Sequence, residues 1–244
     1  MSFQFVQEGA VVNKTASSHV DGETARAAVR LAGYTAIGGA VTMIIGAALW
    51  GSSGTDLWVA LANDEMAAYL AAAAAAKTAM VANTTFWILG VLLLGVAGTT
   101  LAKLCGRRPV WAQVAQVCFN TAVPLAIVSF LAMVVLVVQV GADSSETAVA
   151  LAKVVGWIGT KADDIATILI IGAGPLFISL AGRGDWLPTW LVRWGYLAGV
   201  TGLIVTVLIY FPALSTVGLI IVPIGIGWMT ATGVVLLRSV KKGA

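Results

Sequence analysis

Six long apolar runs constrain this chain more than any other feature of its sequence. An α-helix needs about 20 mostly apolar residues to cross the hydrocarbon of a bilayer. Glycine, proline or charged residues separate the runs, and the predicted spans are residues 31–50, 83–103, 110–140, 161–180, 191–211 and 216–237. Backbone polar groups find no partners in lipid, so each span must satisfy them internally as a helix. The sequence therefore predicts an all-α, polytopic membrane protein.

The composition supports the same class of protein. Of the 244 residues, 59% are hydrophobic and only 10% are charged, whereas a soluble domain has about 25% charged residues. The net charge of +3 would suit a nucleic-acid-binding protein, but the basic residues lie in short loops between the apolar runs. They indicate membrane topology instead, and we expect the lipid bilayer, and no nucleic acid, as partner.

Lysine and arginine are distributed unequally between the two sides of the predicted bundle. The side with both termini and the second and fourth loops has eleven of them, and the other side has three, Lys77, Lys153 and Lys161. Because basic loops stay in the cytoplasm, we predict a multi-pass protein of the cytoplasmic (inner) membrane with cytoplasmic N- and C-termini. Residues 1–30 form a polar N-terminal cytoplasmic segment, and residues 31–240 form the six-helix transmembrane domain. No secretory signal is recognisable, so the first helix should direct insertion.

Two segments outside the predicted spans also have helical character. Residues 66–76 are mostly alanine, a strong helix former, and lie between an acidic pair and Lys77. We interpret them as an extension of the second helix, in one rod over residues 63–104. Residues 146–160 would project from the fourth helix as a half-polar segment. Together these helix extensions predict a small extracytoplasmic cap.

The most prominent polar cluster lies at the outer end of the fourth predicted helix. Lys161 and Asp164 share a helix face at i and i+3, whereas Asp163 points elsewhere. Asn83 begins the second span at a similar depth, and we expect Lys161 and Asp164 to face residues 83–85. Charged groups inside membranes mark functions such as proton relay or cation binding. The alternative is interfacial charges that reach water by snorkelling.

A second polar group lies on the third predicted helix. Gln113, Gln116 and Asn120 follow each other at i, i+3 and i+7 and share one face. We interpret them either as the lining of a cavity reached from the cytoplasm or as partners in interhelical hydrogen bonds. If both clusters serve transport, a continuous polar path should connect Asp164 with Asn120.

Aromatic and small residues have structural explanations. Trp186, Trp190 and Trp194 would share a face at the cytoplasmic interface if their segment is helical, as in an aromatic belt. Gly195 and Gly199 have the spacing of closely packed membrane helices. Glycine and proline near the middle of the fourth and sixth spans predict kinks and close packing, or else the paired broken helices of a transporter.

Several kinds of chemistry have no support in the sequence. His19 is the only histidine and lies in the polar N-terminal segment, so histidine-ligated haem or zinc is not predicted. No nucleotide-binding, nucleophile-elbow or metalloprotease motif is present. Asp163 and Asp164 are adjacent, and no other acid lies in a span to form a catalytic pair with them. We therefore expect no catalytic residue, no metal and no cofactor.

Three further features resemble a known family. The features are an arginine-rich entry at residues 24–34, a long second helix, and the connection Arg-Gly-Asp-Trp-Leu-Pro-Thr-Trp-Leu at 183–191, followed by a glycine-rich stretch at 195–202. In them the chain resembles an uncharacterised bacterial family of six-helix integral membrane proteins, a domain of unknown function. The similarity covers about residues 24–240, and it implies the fold and no activity.

These patterns leave three functions open. The first is a non-catalytic helix-bundle or accessory subunit that acts through its membrane surfaces, with a membrane-protein partner or as a homo-oligomer. The second is a small transporter or channel for a small solute or ion, built on the polar clusters. An intramembrane enzyme comes third, because acids and histidines are scarce in the spans. A polar cavity connecting both clusters would favour transport.

Overall fold

The chain folds into a bundle of helices. A computed structural model describes the backbone of residues 5–141, 143, 145–211 and 215–242, and the side chains in these ranges from residue 23 onward except at 215, 216, 241 and 242. The prediction of an all-α, multi-pass membrane protein is confirmed, because six helices in the described part are long and apolar enough to cross a membrane. They are Glu23–Ser53, Lys77–Lys103, Pro109–Val140, Glu146–Gly182, Thr189–Leu208 and Ile221–Val240.

The described residues form ten α-helices and two π-helical turns. The helices are α1 (Phe5–Ser53), α2 (Leu57–Ala62), α3 (Met66–Ala75), α4 (Lys77–Lys103), α5 (Pro109–Val135), α6 (Glu146–Thr167), α7 (Gly174–Gly182), α8 (Thr189–Leu208), α9 (Ser215–Gly218) and α10 (Ile221–Lys242). One π turn, Leu136–Val140, follows α5, and the other, Ile168–Ala173, joins α6 to α7 in a single span. A π turn closes its hydrogen bonds one residue further along the chain than an α turn.

Some helix boundaries differ from the predicted ones. The backbone of α1 is helical from Phe5 to Ser53, so it passes residue 30 without a break. No proline interrupts that stretch of sequence. The fifth spanning helix, Thr189–Leu208, ends three residues before the predicted 191–211 does, and the sixth, Ile221–Lys242, begins five residues after the predicted 216–237 does. The residue before a proline avoids helical backbone angles, so Pro212 favours a helix end in this connection.

The predicted single rod over residues 63–104 is wrong. A turn at Ala76, with φ −95° and ψ 17°, separates α3 from α4. The buried side chains of α3 include Met66, Tyr69 and Leu70, and α3 packs beside α6 and the first π turn. Burial of this apolar face outweighs the preference of an alanine run for a straight helix. Residues 66–75 and 146–160 are helical as expected, and their place outside the hydrocarbon stays a prediction.

Proline also determines where α8 begins. Pro188 is its N-cap residue, with φ −67° and ψ 148°, so Trp186 lies before the helix rather than on it. Only Trp190 and Trp194 share the helix, with their ring centroids 6.2 Å apart. The predicted helical face of three tryptophans is therefore wrong for Trp186.

Glycines bring the helices close together, as predicted for Gly195 and Gly199. A methyl group at Gly199 would lie 2.7 Å from Cβ of Leu176 on α7, and one at Gly195 would lie 2.8 Å from the Pro175 carbonyl oxygen. Both distances are shorter than van der Waals contact, so only glycine allows this packing. The paired broken helices are not found in the described residues, because the π turn interrupts the fourth span while Pro223 lies in the first turn of a continuous α10.

The two ends of the bundle have different character. At the cap end, α2, α3 and the first half of α6 pack together, and Met66, Leu57 and Leu61 approach Gly156 of α6. At the opposite, basic end, Arg107 donates to the Gly184 carbonyl at 2.7 Å. The charged and aromatic residues described next lie towards the cap end.

Candidate functional site

A cavity of about 810 Å³ lies inside the bundle and reaches the cap end. Residues of α1, α4, α5, α8, α10, the fourth span and the segment around α9 form its walls, and α2 closes one side. Most of the lining is aliphatic or aromatic. Its volume is within the range of about 300–1,000 Å³ typical of small-molecule sites. The cavity can therefore hold a molecule with a sizeable apolar body.

Exposed residues line the cavity on α1, on α2 and just before α10, and from them we infer a sideways opening between α1 and α10. These helices touch near the basic end, where a methyl group at Gly233 would lie 2.8 Å from the Gly33 carbonyl oxygen. Towards the cap end they form opposite walls, and three lining residues there are exposed: Ile44 (61%), Val59 (41%) and Leu219 (49%). Ile44 lies about two-thirds of the way along the Glu23–Ser53 span, nine residues before its end. An opening at this height meets the hydrocarbon of a bilayer as well as its cap-end interface.

Lys161 and Asp164 form the polar end of this cavity. The Lys161 Nζ atom lies 2.9 Å from Asp164 Oδ2 and donates a second hydrogen bond to the Ile209 carbonyl at 2.6 Å. Trp58 Nε1 donates to the other carboxylate oxygen, Oδ1, at 3.2 Å. Lys161 also lies 5.6 Å from the ring centroid of Trp157. The pair faces into the bundle as expected, but it contacts α2 and the end of α8 rather than residues 83–85.

Asp163 lines the same cavity as Asp164. Adjacent residues on a helix point about 100° apart, which led to the expectation that Asp163 points elsewhere. The cavity is wide enough to receive both side chains. No described residue donates a hydrogen bond to Asp163 or forms an ion pair with it, whereas both oxygens of Asp164 have partners. Asp163 is therefore the uncompensated charge of this site.

An aromatic wall lies beside these charges. Trp50 is next to Trp58 and Trp87, with ring centroids 6.5 Å and 6.2 Å away, and Trp87 lies 5.4 Å from Phe130. All four rings line the cavity. The sequence reasoning missed them. Three tryptophans at the cap ends of α1, α2 and α4 were the available signal, but residues at span ends are also typical of an interfacial belt.

The other predicted site residues lie elsewhere. Asn83 is buried and its Nδ2 donates to the Gly46 carbonyl at 2.8 Å, which joins α4 to α1. Gln113 and Asn120 are exposed on the outer face of α5, and Gln116 is half-buried. None of the four is among the described residues lining the cavity. The structure therefore separates the two polar clusters, and the expected path from Asp164 to Asn120 finds no support in it.

The chemistry of the site suits binding better than coordination. The charged residues of the described lining are Asp56, Lys161, Asp163 and Asp164. Asp56 already accepts a hydrogen bond from the Val59 amide at 3.1 Å as the N-cap of α2. Within the described residues no group of three histidine, cysteine or acidic side chains is arranged to hold a metal ion. The groups that remain available to bind a ligand are one carboxylate without a partner, an ion pair and aromatic faces.

No family model matches the chain, and comparisons with curated proteins and with solved structures found no match. The resemblance to a bacterial six-helix family stays a prediction. The fold and the contents of the cavity are the observations from which a function can be argued. They belong to a multi-pass helical membrane protein with an amphipathic cavity whose wall is partly exposed.

Proposed function

We propose that the protein is a small membrane transporter that binds an amphipathic molecule in the cavity between α1 and α10. The observation that supports this function best is the combination of about 810 Å³ of mainly apolar space with a charged end at Asp163. Apolar walls favour an apolar ligand body by roughly 25 cal/mol per Å² buried. A charged group at one end selects and orients the polar part of the ligand.

A transporter is favoured over a channel by the distribution of polar groups. A channel needs polar groups or water along its whole length. Here the charges are confined to the cap end, and the walls beyond them are residues such as Leu94, Ile170 and Ile226. The opening beside Ile44 gives a hydrophobic ligand direct access from the membrane. A ligand would therefore enter sideways and be held, rather than flow through.

The proposal includes an orientation. The excess of basic residues at the termini and the second and fourth loops supports cytoplasmic termini in an inner membrane. The cap end, with Lys161 and Asp163, then lies on the extracytoplasmic side. The cap formed by α2 and α3 would cover the polar end of the ligand.

The test uses a neutral amphiphile, 2-bromododecan-1-ol, which carries bromine on the carbon next to its hydroxyl-bearing carbon. Bromine quenches nearby tryptophan, and Trp50, Trp58 and Trp87 line the cavity. We expect saturable quenching of the protein in nanodiscs. Ala47→Phe, on the cavity wall, should weaken the saturable part, because the added ring occupies part of the space beside Trp50.

Ala48→Phe is the matched control, because Ala48 neighbours Ala47 but is not among the described lining residues. It should bind like the original protein. Quenching that rises linearly without saturation, or that is equal in both variants, would mean that the probe only dissolves in the bilayer. Either result would contradict the proposed function.

A second candidate function is favoured by the exposed amides of α5. Asn120 lies about 16 Å along the helix from Pro109, at a depth where an unpaired amide is costly. An amide both donates and accepts, so two copies related by a two-fold axis can pair through it. We propose that a second copy of this chain binds to this face. This is the form of the accessory-subunit hypothesis that the exposed amides favour.

Asn120→Cys should then crosslink as a dimer in membranes. Val128 lies further along the same face, and the crosslinking yield of Val128→Cys would report how far apart the two copies of α5 are there. A purely monomeric product from both variants would contradict the proposed dimer.

A further inference from the structure

We infer that the polar end of the cavity binds an organic cation, an amine or quaternary ammonium group attached to an apolar body. This inference rests on the proposed function and names its ligand class. Three observations carry it: the charge balance of the lining, the aromatic wall beside the acids, and the hydrogen bonds already made by Lys161. Each concerns residues that the structure brings together from different helices.

The charge balance of the lining is negative. Lys161 and Asp164 neutralise each other across 2.9 Å, and Asp163 and Asp56 add two further negative charges. No described lysine, arginine or histidine other than Lys161 lines the cavity. Charge interactions are stronger in a cavity with few water molecules than in bulk solution. A ligand with a positive head therefore gains from Asp163, and an anionic head is repelled by it.

The aromatic wall suits the same charge. A cation is attracted to the faces of tryptophan and phenylalanine rings, and quaternary ammonium groups are recognised in this way. Trp58 is held by its hydrogen bond to Asp164 at 3.2 Å, which places its ring beside the acids. Trp50 and Trp87 extend the aromatic surface along the cavity. The rings contact the substituents of the cation while Asp163 supplies the charge.

Two other ligand classes fit less well. Lys161 could attract an anion, but it already donates to Asp164 and to the Ile209 carbonyl at the end of α8. An anion would have to replace both contacts beside an uncompensated Asp163. A hard inorganic cation prefers several oxygen ligands, whereas most of the described lining is carbon. An organic cation uses both the charge and the apolar walls.

The experiment compares three chain-matched probes that differ in their head groups. Decyltrimethylammonium, 1-decanol and decyl sulfate, each below its micellar concentration, compete with the brominated alcohol in nanodiscs. We expect the cation to bind at least about tenfold tighter than the alcohol, because the acids and the aromatic faces attract its charge, and the sulfate to bind most weakly. Asp163→Asn should remove the advantage of the cation over 1-decanol, measured as the ratio of their affinities in the same variant. Asp163→Glu, which keeps the charge, should retain part of that advantage.

Aromatic variants test the inference independently if Asp163→Asn does not fold. Trp87→Leu should weaken the cation about two- to thirtyfold relative to 1-decanol, whereas Trp87→Phe should keep most of the preference because it keeps an aromatic face. The inference would be overturned if the original protein bound cation and alcohol with equal affinity, or if it bound decyl sulfate more tightly. Saturable binding of the alcohol would still support the proposed transporter in either case. If no probe saturates, the proposed function fails together with the inference.

Discussion

Asp163 and Asp164 are neighbours in sequence but have different surroundings. Both oxygens of Asp164 have partners, Lys161 on one side and Trp58 on the other, and the side chain is 18% exposed. Asp163 has none among the described residues. The two acids should therefore contribute to stability with opposite signs, because one is held by attraction and the other is repelled by its neighbour.

We predict that Asp164→Asn lowers the free energy of unfolding by about 1–3 kcal/mol, because it leaves Lys161 half-buried without its counter-ion. Asp163→Asn should leave stability unchanged or raise it slightly, because it removes a repulsive charge. Thermal unfolding of both variants in the same detergent measures the difference. A larger loss for Asp163→Asn than for Asp164→Asn would contradict these assignments.

Tyr69 has an unsatisfied hydroxyl in the cap. Its side chain is 5% exposed, and its oxygen has no hydrogen-bond partner. Burial, and secondarily the charge of Asp56, raises the pKa of Tyr69 above its ordinary value of 10.0. Above that pH the unfolded chain ionises Tyr69 while the folded chain does not, so stability falls as the pH rises beyond about 10.

Tyr69→Phe should therefore stabilise the protein by up to about 1 kcal/mol at neutral pH, because it removes a buried group that lacks a partner. The difference between variant and original should grow as the pH increases past 10. Unfolding midpoints measured from pH 8 to 11 give this difference, in which the titration of the lysines cancels. A constant difference across that range would argue against a buried phenol.

At the scale of helices, α1 and α10 are joined by one close crossing. The Gly33 carbonyl oxygen lies 2.8 Å from the position that a side chain at Gly233 would occupy. The neighbouring atom belongs to the backbone and cannot rotate away. Gly38 on α1 offers a contrast, because its nearest neighbour would be a Leu93 methyl at 3.6 Å, an ordinary contact. Neither Gly33 nor Gly233 is among the described residues that line the cavity, so the crossing lies outside it.

Gly233→Ala should cost about 1–3 kcal/mol, because the helices must move apart. Gly38→Ala should be neutral or stabilise the protein by up to about 1 kcal/mol, since alanine is the better helix former. Both single-methyl additions are compared by thermal unfolding in one detergent. Equal effects would show that the crossing is looser than described.

The sequence predicts these elements unevenly, for physical reasons. The spans are readable because the bilayer demands about 20 apolar residues. The turn at Ala76 is not, since alanine favours a helix on both sides of it and only the packing of α3 creates the break. The direction of Asn120 is hidden as well, because α5 has apolar residues on its exposed side and on its buried side alike. On α6 the contact between Lys161 and Asp164 is predictable from their i, i+3 spacing. The tryptophans beside this pair are not predictable in the same way, because they come from three different helices.

For the whole molecule, the orientation in the membrane is the main open prediction. Asp143 at the cap end and Ser239 near the end of α10 are both exposed. The two native cysteines give little background, because both are buried. Burial also raises the pKa of Cys105 to about 11, so that this thiol is scarcely ionised at pH 7.

In intact cells we expect Asp143→Cys to react with a membrane-impermeant maleimide and Ser239→Cys to react only after the membrane is opened. The unsubstituted protein is the control and should stay unlabelled in both conditions. The eleven-to-three distribution of basic residues is the reason for this direction. Labelling in the opposite order would show that the protein has the inverse orientation, with the cap in the cytoplasm.

The π turn at Ile168–Ala173 bears on how this chain tolerates gain and loss of residues. Removing one residue from an α-helix rotates the parts on either side of it by about 100° relative to each other, so a deletion at Ile158 would turn the first half of α6 relative to Lys161 and the acids. A π turn already contains a surplus residue, so a deletion there can be absorbed by a return to α-helical geometry. A variant lacking Leu169 should therefore keep its six spans and its saturable probe binding. One lacking Ile158, in the regular part of α6, should keep its spans but lose probe binding, because α2 packs on the rotated half of α6 while Trp58 of α2 bonds to Asp164. Lineages of this protein should accordingly vary in length at this turn before they vary anywhere else in the fourth span.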